Sequence, residues 1–162
     1  MNLRQEYTDF TIKHMNLYVQ NQADKSGLST NTAAEYFWFT IKPSAASGKW
    51  EQFQYDYEKL VKKFHKSLCM NTIGKHYDRN KNKHLKPFIC AAPDYENSNN
   101  SAPQYRNSFN HVHGIIAQQG EQLKLFKTLL KANDEHYYYK ISVGEIRDIT
   151  IGKINNTEKI FI

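Results

Sequence analysis

The sequence predicts an α+β fold, an antiparallel β-sheet with helices packed on it. Three observations carry this expectation. Glu35-Tyr-Phe-Trp-Phe-Thr-Ile-Lys42 is dense in aromatic and β-branched residues and ends at Pro43, which is strand composition. Phe53, Tyr57, Leu60, Val61, Phe64 and Leu68 recur at three- and four-residue spacing, which gives an amphipathic helix over 51–70. Asn110-His-Val-His-Gly-Ile-Ile-Ala117 is an apolar run of strand length.

The remaining elements follow in order. Residues 1–22 carry Tyr7, Phe10, Ile12, Met15, Leu17 and Val19, a loosely amphipathic helical stretch, and residues 23–33 read as a linker. Pro87-Phe-Ile-Cys-Ala-Ala92 is a short strand that ends at Pro93-Asp94, and the Asn- and Ser-rich segment 95–107 is a hairpin-like loop. Leu123, Phe126, Leu129 and Leu130 form the inward face of a second helix over 121–133. Tyr137, Tyr139, Ile141 and Val143 alternate, so 137–148 is expected to be one strand. Lys159-Ile-Phe-Ile162 is a last apolar stretch. The order β, α, β, β, α, β with two helices on one face is that of a ferredoxin-like α+β sandwich, preceded by an extension over 1–33.

Bulk composition narrows the function. At 162 residues, with 40% hydrophobic and 14% aromatic content, residues 34–162 suffice for one domain with a real core. The formal net charge of +6 favours an anionic partner, with nucleic acid first. Cys69 and Cys90 lie far apart and read as small core residues of a reduced cytoplasmic protein. No apolar run reaches membrane-span length and no secretory signal opens the chain, so a soluble intracellular protein is expected. A phosphate loop of the Gly-x-x-x-x-Gly-Lys type is absent.

Basic and aromatic residues mark candidate contacts with a strand of nucleic acid. Arg79, Lys81, Lys83 and Lys86 cluster in the polar segment 76–86 and suit a phosphate backbone. Trp38 is placed to stack on an unpaired base. Lys59, Lys62, Lys63 and Lys66 read as the solvated face of the first amphipathic helix.

The most informative feature is His111-Val112-His113. Strand side chains alternate with period 2, so both imidazoles point to one face, about 7 Å apart along the strand. Two neutral imidazoles can share one divalent cation when a carboxylate closes the site.

The chain resembles the HUH endonuclease superfamily, particularly its rolling-circle replication initiators. Phe37-Trp-Phe-Thr-Ile-Lys-Pro43 is similar to the family's first motif, and His111-Val-His-Gly-Ile-Ile116 to its second. The resemblance spans roughly residues 35–162. It implies sequence-specific nicking of single-stranded DNA at a replication origin through a 5′-phosphotyrosine, with Mg²⁺ or Mn²⁺ as cofactor. A host helicase or polymerase is a possible further partner. It also implies a third metal ligand before the histidine strand, for which Asp94 and then Glu96 are the candidates. The nucleophile departs from the pattern, because the family sets its Tyr-x-x-Lys on a helix after the last strand. Here the only such run is Tyr137-Tyr-Tyr-Lys140, at a strand start, which makes Tyr138 or Tyr137 with Lys140 the candidates. The family order otherwise puts the tyrosine beyond Ile162. A strand-transferring transposase or relaxase, or a non-catalytic DNA-binding module, shares the same pattern.

Overall fold

The computed structural model describes residues 3–26, 34–44, 50–95, 109–134 and 136–155. The elements run α1 (Leu3–Ser26), β1 (Ala34–Pro43), α2 (Trp50–Thr72), a 3-10 helix (Asn80–Leu85), β2 (Phe88–Tyr95) and β3 (Phe109–Gln119). They continue as α3 (Gly120–Thr128), β4 (Leu130–Asn133), β5 (His136–Tyr139) and β6 (Ile146–Lys153). The strands form one six-stranded antiparallel sheet in the order β2-β3-β1-β6-β5-β4. The fold is α+β.

Period-2 alternation in β1 produces the core. Phe37, Phe39 and Ile41 are buried on one face, with Val112 and Ile116 of β3 and Ile149 and Ile151 of β6 beside them. Both α2 and α3 pack on that face. The Phe64 ring of α2 meets Phe39 edge-on at 5.3 Å between centroids, and Phe126 of α3 meets Phe37 the same way at 5.0 Å. Gly114 faces the same core. A Cβ there would run into the Phe39 ring and the Cys90 carbonyl, so only glycine lets Phe39 lie across β3.

The N-terminal helix lies on the second face. Met15 and Val19 are buried, Thr11 Oγ1 lies 3.4 Å from Cys90 Sγ, and the Tyr18 ring tilts against Phe88 at 6.0 Å. Residues 11, 15 and 18–19 share one helical stripe, which seats α1 on β2. Helix α1 runs to Ser26, so residues 23–26 of the expected linker are helical.

Three further expectations need correction. The second helix stops at Thr128, and 130–133 form the edge strand β4. Leu129-Leu-Lys-Ala132 suits a helix locally, but Leu130 gains burial by pairing with Tyr139, and cross-strand packing overrides propensity. The expected strand over 137–148 is two strands, β5 and β6, parted by residues 140–145. Glu145 there has φ 69°, which no continuous strand accommodates. Finally, β2 does not end at Pro93 but continues to Tyr95. Proline fits because β2 is an edge strand and needs no ladder donor on its outer side. The hairpin-like loop after it and Lys159–Ile162 lie outside the described residues.

Candidate functional site

Strand β3 carries both histidines on the second face, since the intervening Val112 is fully buried in the core. Their rings stand edge to face with centroids 4.5 Å apart. The rings are closer than the 7 Å period because the side chains converge. His113 is exposed, and its Nδ1 lies 2.9 Å from Thr40 Oγ1 on β1. The pairing register explains that bond, because Thr40 stands directly opposite His113.

The register extends this pair into a row across the whole sheet. Ala92 of β2 stands opposite His113, His113 opposite Thr40, and Thr40 opposite Thr150 of β6. Thr150 in turn stands opposite Tyr138 of β5, and Tyr138 opposite Lys131 of β4. Directly opposed residues share a face, so His113, Thr40, Thr150, Tyr138 and Lys131 all stand on the second face. At about 4.8 Å per strand, the His113 and Tyr138 backbones are about 14 Å apart.

A neighbouring row holds carboxylates. Asp94 pairs with His111 in the β2–β3 register, and Asp148 of β6 pairs with Lys42 of β1. Asp148 Oδ1 is buried without a hydrogen-bond partner, while Oδ2 accepts from Arg147 Nε at 3.2 Å. Sequence reading missed Asp148 and Thr150. The alternation of Asp148, Thr150 and Gly152 against Ile149 and Ile151 was the available signal.

The donor set suits a borderline divalent ion, with two imidazoles on one face and a carboxylate position across the ladder. Among the described residues no group of three His, Cys, Asp or Glu side chains stands close enough to hold a metal. Of the two expected carboxylate ligands, Asp94 stands opposite His111 in the backbone register. Glu96 lies outside the described residues.

The tyrosine candidates separate. Tyr137 stands opposite the core residue Ile151 and so belongs to the helix-packed face, whereas Tyr138 belongs to the histidine face; the two are exposed alike, at 38% and 40%. Lys140 lies beyond β5, and its Nζ donates to the Thr128 carbonyl at 2.9 Å, capping the end of α3. The basic neighbour that β pairing gives Tyr138 is Lys131.

The DNA-contact candidates fall in two places. Trp38 stands on the histidine face two residues before Thr40, packed over Gly152 and edge-on to His136 at 5.1 Å. Arg79, Lys81, Lys83 and Lys86 lie just before β2, whose first residue pairs with Ala117, six residues from His111. That is about 20 Å along the strand, so the structure does not bring this cluster to the histidines. Lys86 is held over the Tyr77 ring at 5.2 Å, and Arg79, Lys81 and Lys83 are exposed.

No family model, curated protein or solved structure matches this chain. No helix of the described residues is long and apolar enough to cross a membrane.

Proposed function

We propose that this chain is a metal-dependent, sequence-specific single-stranded DNA nicking and strand-transfer enzyme of the HUH type, acting at a replication origin. The observation that carries the reading is the row His113–Thr40–Thr150–Tyr138, which sets a histidine pair and an exposed tyrosine on one sheet face. The order of β2, β3, β1 and β6, with α2 and α3 on one face, supports a ferredoxin-like core into which the β4–β5 hairpin is inserted.

His111 and His113, with Asp94 as the candidate third ligand opposite His111 in the ladder, would hold Mg²⁺ or Mn²⁺, which when bound would supply Lewis-acid polarisation of the scissile phosphate. Thr40 orients His113: when Nδ1–H donates to the threonine oxygen, Nε2 keeps its lone pair for the ligand role. Trp38 stacks on an unpaired base and so fixes the strand's register. The Tyr138 phenol oxygen attacks phosphorus and loses its proton. The P–O3′ bond breaks, the 3′ oxygen takes up a proton, and a 5′-phosphotyrosine remains. Lys131, opposite Tyr138, offers its positive charge to the phosphate that the tyrosine attacks.

The two strands, β1 and β6, that lie between His113 and Tyr138 favour a second reading, a DNA-binding module on the same fold without strand transfer. The two separate in one assay: protein, Mn²⁺ and a pool of labelled single-stranded oligonucleotides, read on a denaturing gel. The nicking reading expects a covalent adduct that chelation and His113→Ala both abolish. Binding without any adduct supports the module instead.

A further inference from the structure

On the opposite side of the sheet, α2 presents Lys59, Lys62, Lys63 and Lys66. The spacing i, i+3, i+4, i+7 puts them on one helix face about 10 Å long. Lys62 pairs with Glu58 of its own helix at 3.4 Å, and Lys59 and Lys63 share one anion from another element. Glu145, on the 140–145 loop, lies 2.8 Å from Lys63 Nζ and 3.3 Å from Lys59 Nζ. It holds this place at φ 69°, a left-handed conformation costly for a residue with a Cβ. Its carboxyl is drawn below the ordinary range, first by hydrogen bonds from Lys63 and Lys59. The lysine face continues into a cleft of about 530 Å³ lined by Lys63, Lys66, Lys75, Ser142 and Gly144.

We propose that this lysine face is a docking surface for the phosphate backbone of duplex DNA, with Glu145 occupying a phosphate position until DNA displaces it. The chemistry selects this partner. Among the described residues no aromatic side chain lines the cleft or the lysine row, so they offer no platform for unpaired bases. The apolar stripe of α2 is spent on the core through Leu60, Phe64 and Leu68. Met70 is the one exposed large apolar side chain among the described residues that line the cleft, beside three lysines, too little to anchor in a lipid surface. Cations spaced regularly along one helix face suit the most densely charged polyanion, and the contact is independent of base sequence. The surface rests on the nucleic-acid reading of this chain and adds a second contact, on the sheet side away from the histidines.

The test is anisotropy titration of the full chain with a labelled duplex of arbitrary sequence over a salt series. Lys62→Glu/Lys66→Glu is expected to lower affinity at least several-fold and to make the log–log salt slope shallower by about 2, near one per lost phosphate contact. Glu145→Gln releases Lys59 and Lys63 and is expected to tighten binding. Melting curves verify that each variant is folded. An unchanged slope in the double lysine variant, weaker binding by Glu145→Gln, or no duplex binding by the wild type overturns the inference. Preferential binding to anionic vesicles does so too, in favour of a membrane surface. The adduct assay is read on single strands, so failure of the nicking reading registers separately.

Discussion

The Thr40 hydroxyl lies 2.9 Å from Nδ1 of His113, across a register in which the two residues stand opposite each other on β1 and β3. An outer hydrogen bond of this kind fixes the tautomer and ring plane of a metal-binding histidine. Thr40→Val keeps the branched shape and removes the oxygen. It is expected to weaken Mn²⁺ binding by about 10–100-fold while the fold persists, and Thr40→Ser to restore most of it. Calorimetric titration of Mn²⁺ into the three proteins checks this. Equal affinities would show that Thr40 has no positioning role.

Tyr137 and Tyr138 are adjacent in sequence and stand on opposite faces. Tyr138→Phe is expected to abolish the covalent adduct with melting temperature unchanged, because the ring is 40% exposed. Tyr137→Phe is expected to retain it. Loss of the adduct in Tyr137→Phe alone would reverse the assignment.

Gly114 tests the packing beneath the site. A methyl group there meets the Phe39 ring and the Cys90 carbonyl, and only the ring can give way. Gly114→Ala is expected to cost about 1–3 kcal/mol, read by denaturant unfolding. The double variant Gly114→Ala/Phe39→Leu should lose less than the sum of its parts. Additive losses would contradict the clash.

Glu35 ties β1 to α3 and β6, with Lys127 Nζ at 2.6 Å and Lys153 Nζ at 2.9 Å. Burial alone would raise its pKa, but the hydrogen bonds from the two lysines outweigh it and bring the group below its ordinary value of 4.5. A folded-state pKa below the unfolded one adds stability above about pH 4.5, lost as pH falls through the folded value. Glu35→Gln should therefore lower the melting temperature by about 2–4 °C at pH 7, with the difference closing at pH 3. A constant difference across that range would assign the effect to packing.

Much of this fold was legible because local pattern and tertiary burial agree. Phe37, Phe39 and Ile41 alternate in sequence and are buried in that alternation, and Leu60, Phe64 and Leu68 lie on the core face that their spacing foretells. Legibility failed where a pairing partner decides. Leu130 reads as helix until Tyr139 stands opposite it, and Pro93 reads as a stop until β2 proves to be an edge strand. The histidine pair was visible in three residues. Its link to Thr40, Thr150 and Tyr138 was not, because a register across four strands is a property of the whole sheet.

The most direct test of the histidine site is pulsed electron paramagnetic resonance on the Mn²⁺-loaded protein, which detects nitrogen bound to the ion. Coupling to two imidazole nitrogens is expected in the wild type, and to one in either His111→Ala or His113→Ala. Mn²⁺ bound without nitrogen coupling, or no bound Mn²⁺ at all, would contradict a metal centre on this face of the sheet.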